Sequence, residues 1–240
     1  MRPSVTTAEN EGWTARREEI RLAKATDPRL ARIAQQLAAM GHEVLARLRR
    51  TLAALDPLDV QTAPQLIEAD ARTDQQEVAI ERACIDLLSG RQGAVTEPDT
   101  VTAIIKANAD LERIADLTVN IAERIGHMAQ VCGARPPDQI RQMGRIACEM
   151  LTDVLDAFGR RDVVLAERVL QRDDAVDVLN EEMYRHMLAE IADDPDRLEC
   201  AMHDLMVSKV LERIADLCTN LAEEVIFMAT GRIVRHGQTA

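Results

Sequence analysis

The segment Leu111-Glu112-Arg113-Ile114-Ala115-Asp116-Leu117 recurs unchanged a hundred residues later as Leu211-Glu212-Arg213-Ile214-Ala215-Asp216-Leu217, and Asn120, Ala122 and Glu123 recur as Asn220, Ala222 and Glu223. A chain duplicated in this way folds as two copies of one unit. Both copies keep an acid at i and i+4, which a helix stacks one turn apart on the same face. Such a pair repels itself and invites a cation.

Helices alone are expected to build the unit. Four aromatics occur in 240 residues (Trp13, Phe158, Tyr184 and Phe227), 47% of the chain is hydrophobic, and Ala, Leu, Ile, Arg and Glu dominate. That profile suits helices packed on helices, so the predicted fold class is all-α. From Leu30 the apolar residues Ile33, Leu37, Met40, Val44, Leu48, Leu52 and Leu55 step by three and four, predicting a helix that ends near Asp56-Pro57. A second helix is expected from Pro64 to Leu88 and a third from about Thr100 to Val131. After Pro136-Pro137 the pattern returns, with helices to about Phe158, from Asp162 to Ala192, and from Pro195 or Asp196 to Thr230, stopped by Gly231. The organisation read from this is an extension over 1–27, one three-helix repeat over 28–134, a second over 135–231, and a tail over 232–240. Short connections predict antiparallel bundles that sit side by side about a pseudo-twofold axis and share a core or interface.

Charge narrows the partners. A formal net charge of -12 opposes the counterion-release term that drives binding to nucleic acid, and basic stripes with interleaved aromatics are missing. No apolar run could span a bilayer and no leader-like h-region follows Met1, so a cytoplasmic protein is expected. Cys84, Cys132, Cys148, Cys200 and Cys218 form no CxxC pair and read as reduced, buried thiols. With no phosphate-cradling Gly-rich loop, no HExxH and five scattered histidines, no enzyme is expected.

The second helices add to the acid pattern. The stripe Leu66, Asp70, Asp74, Glu77, Glu81, Cys84, Leu88 places four carboxylates in what reads as a packing seam. Asp173 and Asp177 repeat the i, i+4 pair in the second copy, with Glu181 one turn on. On the third helices Glu112/Asp116 and Glu212/Asp216 lie opposite the apolar face, where a plain solvated surface would also lie. If second and third helices are neighbours, two acid pairs converge in each groove. Oxygen-only donors suit Mg, Mn, Ca or ferric iron, and the lack of a nearby His argues against a structural zinc site.

The doubled Leu-Glu-Arg-Ile-Ala-Asp-x-x-x-Asn, the preceding Asp-xxx-Asp in each second helix and the ending Asn220 to Gly231 resemble the PhoU family, over residues 30 to 231. The resemblance implies two tandem three-helix bundles and multinuclear metal clusters on carboxylates (Fe, Mn, Mg or Zn). It places ligands at Asp70, Asp74, Glu112 and Asp116 for one cluster and at Asp173, Asp177, Glu212 and Asp216 for the other. It also implies negative control of the phosphate-starvation response by docking between the ATPase subunit of the phosphate ABC transporter and a sensor histidine kinase, as a homodimer or higher homo-oligomer. Family members read close to Arg-Gln-Pro where this chain has Arg91-Gln92-Gly93, and carry Gly at the places of Ala115 and Ala215. An accessory protein of a low-affinity phosphate carrier shares bundle and acids, but the duplicated motif favours the two-repeat regulator. A carboxylate-bridged di-metal enzyme shares ligand geometry, but the Glu-xxx-His signature of that class is missing.

Overall fold

The computed structural model describes residues 27–68, 70–90, 95–133 and 135–234. The extension with Gly12 and Trp13, the loop residues Arg91-Gln92-Gly93 and the tail residues Arg235 and His236 lie outside these. Among the described residues all regular structure is helical: α1 (Pro28–Leu55), α2 (Ala63–Glu68), α3 (Asp70–Leu88), α4 (Pro98–Val131), α5 (Asp138–Arg160), α6 (Val163–Asp193) and α7 (Leu198–Thr230), with a 3-10 turn, Pro195–Arg197, leading into α7. The expected second helix corresponds to α2 and α3, on either side of Ala69.

Local chemistry sets the ends. The Asp27 carboxylate accepts from the Arg29 amide at 2.9 Å and starts α1 ahead of Pro28. Asp162 caps α6 by accepting from Leu165 N at 3.0 Å, and Gly231, in the left-handed region at φ 70°, ends α7. The α5–α6 turn is made by Arg161, a non-glycine residue at φ 54°. Its guanidinium holds the Glu97 carboxylate at 2.5 Å and Thr100 Oγ1 at 3.0 Å, tying this turn to the start of α4.

One hydrophobic core runs through both repeats. Within each repeat the second and third helices pack together, α3 on α4 and α6 on α7, and the repeats join where α4 packs on α7 and α1 on α5. The α4–α7 seam is antiparallel. Lys106 Nζ bonds Glu224 Oε1 at 2.8 Å, and Arg124 approaches Met206 Sδ at 3.1 Å; the His127 and His203 rings stack at 6.0 Å. Positions 106 and 206, and 124 and 224, are duplicate mates, so one seam contact is the image of the other about a pseudo-twofold axis. That register brings Ala115 opposite Ala215, both 1% exposed, at the centre of the crossing.

The α1–α5 contact obeys the same axis. A Cβ added at Gly41 would lie 2.4 Å from Leu155 Cδ2, and one added at Gly144 would lie 2.9 Å from Leu52 Cδ2. Each repeat thus offers one glycine and one leucine, and each glycine receives the other repeat's leucine.

Two expectations are corrected. Cys132 and Cys200 are not free thiols: they are joined in a disulfide across 68 residues, which links the end of α4 to the start of α7. Helix lengths and register bring them together, and no sequence spacing announces it. On chain-entropy grounds a loop of that size adds on the order of 4 kcal/mol. The methionines of α4 to α7 mostly sit at helical spacings that suit gap-filling in the core; Met128, Met143, Met150 and Met183 are buried there, but Met202 and Met206 are 39% and 41% exposed.

Gly41→Leu is expected to lower stability by about 1–3 kcal/mol through overpacking. Adding Leu155→Ala to it should return part of that loss, read as a coupling energy in a urea-denaturation double-mutant cycle. Independent, additive effects would contradict the close approach of α1 to α5.

Candidate functional site

A polar tie sets the register of second against third helix in each repeat. In the first, Asn108 of α4, 1% exposed, donates to the Glu77 carbonyl of α3 at 2.9 Å. In the second, Ser208 of α7 donates to Asn180 Oδ1 of α6 at 2.7 Å. Buried polar groups must be paired, so each tie fixes how far one helix slides along the other. The acid pairs lie one turn beyond it, Glu112 after Asn108 and Glu212 after Ser208.

The acids of the first set lie near enough to act on one another electrostatically, though not around a single point. Burial raises the Glu112 carboxyl above its ordinary value, and Asp116, Glu77, Asp74 and Asp70 all push it the same way. Asp70 is raised by burial, opposed by Arg47 and reinforced by Asp74 and Asp116. Glu77 is raised by burial, then by Glu81 and Asp74. Five carboxylates from two helices therefore share one electrostatic field, the arrangement a hard cation relieves. The acids flank the seam rather than filling it, which corrects the predicted stripe. The buried residues of α3 are Thr73, Ile80, Cys84 and Leu87, with Asp74 and Glu81 exposed.

The fixed charge in the groove is Arg47. Its side chain, 6% exposed, reaches from α1 to Asp70 Oδ1 at 2.9 Å and to Thr73 Oγ1 at 2.5 Å. Sequence reading missed it, although it stands three residues after Val44 and seven after Met40, on the buried spacing of α1. Six residues beyond Gly41 in α1 comes Arg47, and six beyond Gly144 in α5 comes Met150, fully buried. The repeats thus differ at this place.

The second set is distributed differently. Asp173 is the buried one, 3% exposed, and its charge adds a little to the rise that burial gives the Cys218 thiol. Glu212 pairs with Lys209 Nζ at 2.8 Å on its own helix, while Asp177 and Asp216 lie at the surface. Among the described residues, no three His, Cys, Asp or Glu side chains stand arranged around a single point as metal ligands.

A PhoU domain model matches residues 37–125 and again 140–225. The chain belongs to the PhoU family. It is 34% identical over 209 residues to a phosphate-specific transport system accessory protein PhoU homolog of Zymomonas mobilis, covering 87% of this chain and 88% of that one. Against the accessory protein PhoU of Escherichia coli identity is 30% over 211 residues, 86% of each chain. The crystal structure of PhoU from Pseudomonas aeruginosa superposes with a TM-score of 0.79 at 31% identity, over 85% of this chain and 98% of that one. The phosphate transport system regulatory protein PhoU from Streptococcus pneumoniae also gives 0.79, at 27% identity over 86% and 97%. These relatives are named as accessory or regulatory proteins of phosphate transport.

The raised Glu112 carboxyl sets the sign of a pH effect. Its contribution is favourable below the ordinary glutamate value of 4.5 and is lost as pH rises through the raised one. Glu112→Gln is therefore expected to stabilise the metal-free protein at neutral pH, with the gain vanishing in acid. Melting temperatures of both proteins in chelator across pH check this; a gain that persists in acid would assign it to something other than charge.

Proposed function

We propose that this chain is an accessory protein of phosphate-specific transport that acts by docking, with metal ions held on the carboxylates between second and third helices. The observation that carries the reading is the shared field of Asp70, Asp74, Glu77, Glu112 and Asp116 between α3 and α4, on a fold whose relatives are named for phosphate transport. Two i, i+4 pairs on neighbouring helices, partly withdrawn from water, leave repulsion that protein cations offset only in part, through Arg47. The donor set is oxygen alone, which fits Mg, Mn or iron better than zinc. A bound cation would neutralise the groove and cross-link α3 to α4.

The proposed ligands are Asp70, Asp74, Glu112 and Asp116 in the first groove and Asp173, Asp177, Glu212 and Asp216 in the second. The docking partners are the ATPase subunit of the phosphate transporter and its sensor histidine kinase, with a homodimer or higher homo-oligomer as the acting species in the cytoplasm. Negative control of the starvation response follows if docking holds the kinase inactive while phosphate is plentiful. No helix among the described residues is long and apolar enough to cross a membrane, so membrane association would come through the partners.

Untagged protein purified without chelator and analysed by inductively coupled plasma mass spectrometry is expected to carry stoichiometric Fe, Mn, Mg or Zn. Part of it should be lost in Glu112→Ala/Asp116→Ala and the rest in Glu212→Ala/Asp216→Ala. Folded, metal-free wild type that stays metal-free after titration would overturn the metal reading. In cells, deleting the gene should switch on phosphate-starvation reporters in phosphate-rich medium, and silent reporters would overturn negative control.

A further inference from the structure

At one end of the α4–α7 seam the duplicate symmetry breaks. Cys132 and Cys200 continue the antiparallel register of Arg124 with Met206 and His127 with His203, and the mates of the two cysteines are Arg232 and Thr100. We propose that Cys132 and Cys200 form a reversible thiol–disulfide exchange site whose co-reactant is a low-molecular-weight thiol and its disulfide, with Asp204 moving the proton of Cys200.

Three observations carry this. The Cα atoms are 5.0 Å apart, within the span a disulfide bridges without moving the backbone. Cys200 is the third residue of α7, where the helix N-terminus favours a thiolate, while Cys132 caps the end of α4 beside the connection to the second repeat. One turn below Cys200 lies Asp204, 4% exposed, with Oδ2 3.9 Å from Cys200 Sγ and Oδ1 buried without a hydrogen-bond partner. A buried carboxyl with an unused oxygen beside a sulfur has the placement of a proton shuttle. Burial pushes it up to about 7, with Glu190 adding to the rise and Arg197 opposing it, so it can give or take a proton at neutral pH.

Arg197 holds the arrangement. Its guanidinium donates to the Cys132 carbonyl at 3.2 Å and to Glu190 Oε1 at 2.9 Å, pinning the ends of α4 and α6 to the turn before α7. The remaining cysteines contrast with the pair. Burial pushes the Cys84 and Cys148 thiols up to about 11 and Cys218 higher still, which keeps them protonated and unreactive.

In the reducing direction a small thiolate attacks Cys132 Sγ, the more exposed of the two at 7% against 3%. The Cys132–Cys200 bond breaks, its electron pair leaves on Cys200 Sγ, and that sulfur takes the proton from Asp204. A second thiolate then attacks the outer sulfur of the mixed disulfide, freeing Cys132 and forming the small disulfide. Two protein sulfurs are reduced and two small thiols oxidised; the reverse sequence uses the small disulfide as oxidant.

The test equilibrates the full chain in buffers of stepped glutathione to glutathione-disulfide ratio, quenches by alkylation in denaturant and maps each cysteine by mass spectrometry. The pair should be oxidised together at one ratio and recover fully in excess glutathione, with a lower melting temperature when reduced and Cys84, Cys148 and Cys218 alkylated throughout. Asp204→Asn should slow the approach to equilibrium about tenfold, since positioned proton transfer contributes at least that much. A pair reduced at every ratio, oxidation falling on other cysteines, or a bond surviving excess glutathione as a permanent staple would each overturn the exchange site. An unchanged rate in Asp204→Asn would overturn the role given to Asp204.

Discussion

The antiparallel crossing of α4 on α7 is the constraint from which the rest follows. Both helices carry the duplicated Leu-Glu-Arg-Ile-Ala-Asp-Leu, and the crossing centres on Ala115 and Ala215. Small side chains there let two long backbones approach, and Leu111, Ile114, Ile121 and Ile125 of α4 are all buried. With that face committed to the seam, Glu112/Asp116 and Glu212/Asp216 turn toward the flanks, where α3 and α6 pack. The acid grooves therefore lie on either side of the seam by geometry.

Polar ties convert packing into register. Hydrophobic contact alone lets helices slide, whereas the Asn108 to Glu77 carbonyl bond and the Ser208 to Asn180 bond each have one setting. Different residues do the same work at duplicate positions, so what the repeats share is a place for a polar group rather than a residue. The same divergence separates Arg47 from Met150. A guanidinium buried against Asp70 stabilises the first groove through a charge-assisted bond, while the second groove presents Asp173 in a more apolar setting. The two grooves are relatives, not copies.

Much of this was legible in the chain. Apolar steps of three and four placed α1 to within a few residues, and Gly231 marked the end of α7, because periodicity and a glycine stop act locally. The acid pairs were legible because helix geometry alone makes i and i+4 neighbours. The seam of α3 was read only in part: Cys84 of the expected stripe is buried, whereas Asp74, Glu81 and Leu88 are exposed and Thr73, Ile80 and Leu87 complete the buried face. Periodicity gives a period; which face is buried depends on what packs there. Arg47 and the Cys132–Cys200 pair were missed because their partners come from other helices, and only the tertiary register brings them near.

The central claim, that the grooves beside the seam are built to collect cations, is tested most directly by anomalous diffraction from crystals of the chain grown with manganese or iron. The account predicts anomalous peaks within coordinating distance of the acids on α3 and α4 and on α6 and α7, with the carboxylates drawn inward. Peaks elsewhere, or none in metal-saturated crystals, would contradict it and leave the acid pairs as a solvated flank of the bundle.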